Sequence, residues 1–191
     1  ATPGRPLGTF DLTGGTGTAS TAPGRTLTGL LESAARSHPD AIAVIGPDDK
    51  LTYAELHERA NRLARLLLDR GAGPESVVGL LLPRSAATLV AMLAVLKTGA
   101  AYLPLDPGYP AERLRLMVED AQPRCVLTDT ATDSHAADLA SLPTPAIRLD
   151  DPATARELER LSPTAPSDAD RPEPLRPSHP AYVIYTSGST G

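Results

Sequence analysis

The chain has 191 residues, of which 41% are apolar, and 23 acidic against 18 basic side chains give a net charge of -5. This composition can supply a buried core and excludes a protein that is disordered throughout. The charges form no long run of one sign, so we expect no nucleic-acid surface. A single cysteine, Cys125, excludes a disulfide within the chain; it predicts a small buried strand residue and an intracellular, cytoplasmic setting.

The first segment, residues 1–25, consists mostly of Gly, Thr, Pro, Ser and Ala with little periodicity. Such a composition cannot bury enough apolar surface to offset chain entropy, so a linker is predicted. There is no initiator methionine and no apolar signal segment, which favours a cut from a longer polypeptide over a secreted precursor.

Helical spacing begins after Thr26, a candidate N-cap, with apolar residues at positions 27, 30, 31 and 34, and "AIAVIG" (41–46) predicts a short strand. Thr52 and Glu55 form a T-x-x-E capping box. Apolar residues then follow on one face as far as Gly71, which predicts an amphipathic helix.

The run "SVVGLLL" (76–82) predicts a strand covered on both faces and ended by Pro83. Residues 85–98 are apolar almost throughout and predict a helix buried nearly all round and closed by Gly99. A membrane span would need about 20 apolar residues. Lys97 and Gly99 end this run too early, so no membrane association is expected.

Further strands and helices alternate along the chain: a strand at "AAYLPL" (100–105), a helix from about 110 to 121, a strand at "RCVLTD" (124–129), a weaker helix near Ala136 and a strand at "AIRLD" (146–150). This alternation predicts an α/β fold with a largely parallel sheet. Six prolines in residues 161–180 predict a surface loop or tether, and "AYVIY" (181–185) then predicts a strand.

The strand is followed directly by "TSGSTG": Thr186, Ser187, Gly188, Ser189, Thr190 and Gly191. In an open α/β sheet, a Gly-rich turn beyond a strand lets backbone N–H groups approach phosphate oxygens, and short hydroxyls add donors. The stretch fits neither the Walker nor the dinucleotide-binding pattern, and its local chemistry alone favours an ordinary turn.

Three stretches in this order, "LTYAEL" (51–56), "LKTGAAYLPLDPGYPAERL" (96–114) and "YVIYTSGSTG" (182–191), closely resemble the first three core motifs of the amino-acid adenylation domains of nonribosomal peptide synthetases. These domains belong to the adenylate-forming superfamily, with the acyl-CoA synthetases and luciferases. The resemblance implies that residues 1–25 are the tail of a condensation–adenylation linker. It further implies that residues 26–191 are the N-terminal part of the adenylation domain, cut at the phosphate-binding loop.

The resemblance also implies a two-step reaction. An amino-acid carboxylate attacks the α-phosphate of Mg-ATP, and the aminoacyl adenylate is captured by the phosphopantetheine thiol of a peptidyl carrier domain. The six residues 186–191 are then the contacts to the β- and γ-phosphates. Family motifs for adenine, ribose, Mg²⁺ and the amino-acid pocket fall after Gly191, so no catalytic residue and no metal ligand is assigned here, and the chain alone is expected to be inactive.

The remaining polar residues favour structural interpretations. Thr52 and Glu55 cap a helix, and "LPLDP" (103–107) shapes a strand exit. The histidines lack metal spacing and are expected at the surface: His38, His57, His135 and His179. Asp150 and Asp151 are expected to cap the following helix, and Lys97 to be a solvated or dipole-favoured charge.

Two alternatives to the enzymatic interpretation stay open: a non-catalytic split or scaffold segment of a synthetase, and an acyl- or aryl-acid adenylating relative. The expected partners are the carrier domain and a neighbouring condensation domain. Some domains of this type also bind a small MbtH-like protein, for which "DLASLPTPA" (138–146) is a candidate surface.

Overall fold

The computed structural model describes residues 26–46 and 50–186. Its helices are α1 (Leu27–Ser37), α2 (Tyr53–Asp69), α3 (Ala86–Thr98), α4 (Ala111–Ala121), α5 (Asp133–Leu139) and α6 (Pro152–Arg160). Its strands are β1 (Ile42–Ile45), β2 (Lys50–Thr52), β3 (Val77–Leu80), β4 (Ala101–Pro104), β5 (Val126–Thr128) and β6 (Ala146–Arg148). The predicted linker, residues 1–25, lies outside the described residues.

The main sheet has four strands in the order β4-β3-β5-β6, and every neighbouring pair is parallel. Helices cover both faces. One apolar cluster joins the sheet to α2 and α3, and a second joins its other face to α4 and α5. Adjacent strand residues divide between the clusters, as with Val126 in the second and Leu127 in the first, because successive side chains of a strand point to opposite faces. The predicted α/β fold is confirmed.

The first predicted strand does not join this sheet. β1 pairs antiparallel with β2, which the sequence did not predict, in a separate two-stranded ribbon. Val44 and Leu51 are its buried residues and both belong to the first apolar cluster, so the ribbon packs on the α2–α3 layer. A three-residue strand such as β2 is too short to produce a readable alternation of apolar and polar residues.

Helix α2 begins, and helix α3 ends, where the sequence predicts. The Thr52 side chain accepts a hydrogen bond from the Glu55 amide at 3.2 Å, and the Glu55 carboxylate accepts one from the Thr52 amide at 2.8 Å. Both contacts satisfy donors that a helix start otherwise leaves open. α3 closes at Gly99, whose φ of +92° lies in the left-handed region. Within the described ranges, no helix combines the length and apolarity that crossing a membrane requires.

The proline-rich segment 161–180 is fastened to the helices rather than acting as a tether. Asn61 donates to the Pro163 carbonyl at 2.6 Å, and Arg62 donates to the Leu161 carbonyl at 2.7 Å. In the middle of the segment, the nearly buried Arg171 side chain donates to the Lys97 carbonyl at 2.8 Å. Composition could not reveal this attachment because the donors lie about 100 residues away in the sequence.

The segment ends beside β4. The Tyr102 amide donates to the Ala181 carbonyl at 3.1 Å and the Val183 amide donates to the Tyr102 carbonyl at 3.0 Å. These two bonds form a parallel bridge between Tyr102 and Tyr182. The strand predicted at 181–185 is therefore wrong in extent, because its main-chain pairing with β4 stops after this bridge.

Candidate functional site at the carboxyl edge of the sheet

The connections of β3 and β4 leave the sheet in opposite directions. β3 leads to α3, which packs with the first apolar cluster, whereas β4 leads to α4, which packs with the second. Since β3 and β4 are neighbours, their carboxyl ends diverge and leave a crevice between them. Open α/β sheets bind their ligands in crevices outside the carboxyl ends of their strands.

A cavity of about 550 Å³ occupies this crevice. Residues that follow β3 (Leu82, Pro83 and Arg84) form one side, and Leu105, Asp106 and Pro107, which follow β4, form another. Ile184 and Tyr185, from the segment beside β4, also line it. The ends of three neighbouring parallel segments therefore line one cavity. Most of the side chains that line it are apolar.

The turn after β4 is fixed by its own side chains. Asp106 accepts a hydrogen bond from the Gly108 amide at 2.8 Å, which confirms the structural role expected of this motif. His135 on α5 contacts the Pro107 carbonyl through Nε2 and is held to the sheet edge rather than free at the surface. The guanidinium of Arg84, an exposed residue, supplies positive charge to the cavity lining.

Tyr185 connects the cavity to α4. Its hydroxyl donates a hydrogen bond to Asp120, and the side chain packs against the second apolar cluster. Burial, and then the hydrogen bond and negative charge of Asp120, raise the pKa of Tyr185 to about 12. The phenol is therefore protonated at neutral pH and acts as a hydrogen-bond donor. No local pattern in the sequence predicts this pair, since Asp120 and Tyr185 are 65 positions apart.

Of the six residues predicted to contact phosphate, the structure describes only Thr186. It is exposed and follows Tyr185 directly, at the carboxyl edge of the sheet. Ser187, Gly188, Ser189, Thr190 and Gly191 lie outside the described residues. Their assignment stays a prediction, although the chain reaches them from the edge at which a phosphate loop is expected.

Lys97 and His57, in the α2–α3 layer, are buried, although the sequence predicts a solvated or dipole-favoured charge and a surface histidine. Lys97 is fully buried and donates a 2.6 Å hydrogen bond to Glu32 on α1. His57 on α2 is also buried, and its Nε2 has no hydrogen-bond partner in the part of the chain described. Burial lowers the pKa of His57, and the nearby positive charge of Lys97 lowers it further. Both residues sit on apolar faces of long helices, where packing overrides the usual preference of charge for water.

The other titratable groups away from the cavity serve the fold. Cys125 is buried as predicted but directly precedes β5 instead of lying within it, and burial raises the pKa of its thiol to about 11. Asp151 caps α6 by accepting from the Ala153 amide at 2.7 Å, but Asp150 instead accepts from the Thr130 amide at 3.0 Å. The paired capping role expected of the two aspartates is therefore wrong for Asp150. Across residues 26–46 and 50–186, no cluster of three acidic, histidine or cysteine residues could hold a metal ion.

The sequence profile of the AMP-binding enzyme family matches residues 31–191. The chain therefore belongs to this family. It is 52% identical over 160 residues to a dimodular nonribosomal peptide synthase of Bacillus subtilis, a match that covers 84% of this chain and 7% of that protein. It is 48% identical over 189 residues to CymA of Salinispora arenicola, a probable non-canonical nonribosomal peptide synthetase, covering 99% of this chain and 2% of that protein. These relatives confirm the recognition made from the three motifs, and the chain spans only a small part of their length.

Solved structures agree with this placement. The nonribosomal peptide synthetase FmoA3 in its AMPPNP-bound form matches with a TM-score of 0.74 and 32% identity, over 90% of this chain and 17% of that one. The N-terminal domain of FACL13 from Mycobacterium tuberculosis matches with a TM-score of 0.76 over 88% of this chain and 42% of that one. At 22% identity, the second match shows a shared fold alone.

Proposed function

We propose that residues 26–191 are the N-terminal part of an amino-acid adenylation domain, preceded by the tail of an interdomain linker in residues 1–25. The complete domain would activate an amino acid as its aminoacyl adenylate and pass it to the phosphopantetheine thiol of a carrier domain. The observation that carries this proposal is the position of Thr186 at the carboxyl edge of the sheet, beside the cavity beyond β3 and β4.

Such a reaction requires this part of the protein to position the phosphates and to stabilise their negative charge. A phosphate group needs donors that converge on its oxygens, and the segment 186–191 offers backbone amides together with four hydroxyls. Two glycines, Gly188 and Gly191, allow the backbone to come close to the ligand. In this proposal the segment grips the β- and γ-phosphates of ATP while the rest of the domain supplies the remaining contacts.

ATP is the proposed cosubstrate, and AMPPNP is bound to the related FmoA3. Mg²⁺ is proposed to accompany it, where it would neutralise phosphate charge; the described residues provide no carboxylate cluster for it. A carrier domain and a neighbouring condensation domain are the proposed partners, consistent with multimodular relatives such as the dimodular synthase. A cytoplasmic location also stays a prediction.

ATP–pyrophosphate exchange tests the proposal. The complete adenylation domain should exchange with at least one amino acid, whereas residues 1–191 alone should not. Replacing two hydroxyls, Ser187→Ala with Thr190→Ala, should raise the KM for ATP about 100-fold, since each lost hydrogen bond to a charged group weakens binding about tenfold. Ser33→Ala, on the exposed side of α1, removes a hydroxyl far from the cavity and should leave the KM unchanged.

The two alternatives give different results in the same assay. A scaffold segment would show no exchange even within the complete domain. An acyl- or aryl-acid adenylating relative would exchange with a carboxylic acid that has no α-amino group. Sustained exchange by the 191 residues alone would contradict the proposed division of the domain.

The MbtH-like partner remains a separate proposal. Its candidate surface, residues 138–146, begins at the end of α5 and carries the partly buried Leu142 between exposed Ser141 and Pro143. Leu142→Asp should abolish co-purification of such a protein. Retained binding would show that the surface lies elsewhere.

A further inference from the structure

The chain that enters the proposed phosphate-binding segment is anchored in two stages. The first is the parallel bridge, where the Val183 amide donates to the Tyr102 carbonyl at 3.0 Å. Among the described residues, neither Ile184 nor Tyr185 makes a backbone–backbone hydrogen bond. The main chain therefore leaves the sheet two residues before Thr186.

The second stage is the side chain of Tyr185. Its hydroxyl donates to Oδ2 of Asp120, in the last turn of α4. That helix is itself fixed, because Leu114, Met117 and Val118 are buried in the second apolar cluster. The carboxylate of Asp120 is therefore presented from a rigid element, and the residue directly before Thr186 is tied to it.

We propose that the Asp120–Tyr185 hydrogen bond is a positioning contact that sets where the phosphate-binding segment begins, so that its donors converge on the phosphates of ATP. The inference rests on the proposed function. Neither residue is assigned a contact with ATP; both act through the placement of Thr186 and the residues that follow it.

The hydroxyl is the informative part of this side chain. A phenyl ring would fill the same space against Met117 and the cavity, so apolar packing alone does not require a tyrosine. A phenol carries its proton at neutral pH, and burial together with Asp120 raises the pKa of Tyr185 further, so the hydroxyl remains a donor to Asp120. Three residues earlier, the exposed Tyr182 stacks at 5.9 Å on Tyr102, and its hydroxyl has no hydrogen bond in the described structure.

The test compares variants of the complete adenylation domain by ATP–pyrophosphate exchange, with the amino acid that gives the fastest exchange in a screen of the proteinogenic set. Tyr185→Phe and Asp120→Ala should each raise the KM for ATP about three- to tenfold while the KM for the amino acid stays within about twofold. Asp120→Asn keeps an acceptor oxygen and should restore most of the affinity for ATP. Tyr182→Phe is the matched control and should behave as the wild type.

The double variant Tyr185→Phe with Asp120→Ala should be no worse than either single variant, because both remove the same contact. A merely structural contribution would instead lower the amount of active enzyme and leave both KM values unchanged; that result, or a wild-type KM in Tyr185→Phe, overturns the inference. If the wild-type domain itself exchanges with no amino acid, the proposed function fails and the inference fails with it.

Discussion

The ammonium group of Lys97 lies 2.6 Å from the Glu32 carboxylate, and the two side chains differ in their contact with water: Lys97 is 0% exposed and Glu32 is 26% exposed. The pair joins the last turn of α3 to α1. Removing Glu32 leaves an unpaired ammonium group in the core, whereas removing Lys97 leaves an unpaired carboxylate in contact with water.

We therefore expect an asymmetry between the two truncations. Glu32→Ala strands a buried charge and should lower the free energy of unfolding by about 3 kcal/mol. Lys97→Met keeps the packing and leaves a carboxylate that water can reach, so it should cost about 1 kcal/mol or less. Urea denaturation of the two variants measures both values, and equal costs would contradict the burial of Lys97.

Buried His57 should make stability sensitive to mild acid. Its pKa is lowered in the folded chain by burial first and by Lys97 second, so between that lowered value and about 6.5 the unfolded chain binds more protons. The free energy of unfolding then rises with pH across this window, and the contribution is lost as pH falls through the folded pKa.

The measurement for His57 is the slope of unfolding free energy between about pH 5 and pH 7. His57→Gln should flatten it. His38→Gln replaces an exposed histidine one residue beyond α1 and serves as the control, with the wild-type slope retained. An unchanged slope in His57→Gln would show that other groups dominate the titration.

The Cys125 thiol should resist alkylation in the folded chain. Burial raises its pKa from 9.0 to about 11, and at about pH 8 this lowers the thiolate fraction about 100-fold. Iodoacetamide should therefore label the native chain at least about 100 times more slowly than the urea-unfolded chain at the same pH. Native labelling within about tenfold of the unfolded rate would refute the buried position.

Two glycines with positive φ provide a matched test of backbone strain and steric clash. Gly71, with φ +82°, has nothing within 4 Å of an added Cβ, so Gly71→Ala should cost only the left-handed conformation, about 1 kcal/mol. At Gly99, with φ +92°, the same Cβ would lie 2.9 Å from Cγ of Pro74. Gly99→Ala should cost at least about 1 kcal/mol more. Thermal unfolding would show the difference in stability. Equal losses of stability in the two variants would mean that the Pro74 ring moves aside without a free-energy penalty.

Much of the fold follows from local patterns in the sequence. The capping box at Thr52, the apolar face behind it and the all-apolar helix ended by Gly99 each depend on residues within a few turns of one another. The order of strands and helices gives the α/β class, and three motifs give the family. These features can be predicted from the sequence because the residues that cause them are close together in the chain.

The parts that escaped prediction depend on distant residues. Lys97 looked like a solvated charge because its partner, Glu32, lies 65 positions away. The segment 181–185 pairs with β4 at only one bridge, and its contact from Tyr185 to Asp120 joins residues 65 positions apart, which no periodicity encodes. Residues 187–191, which hold most of the proposed phosphate donors, lie outside the described structure, so their assignment still depends on the motif alone.

The attachment of segment 161–180 to α2 has an evolutionary consequence. Asn61, Arg62 and Arg65 donate to main-chain carbonyls of the segment, which every amino acid possesses. Many side chains of the segment can thus be substituted without loss of these hydrogen bonds, whereas substitution of the three donors on α2 removes them. Sequence divergence among orthologues should accordingly concentrate on one partner of this contact and spare the other.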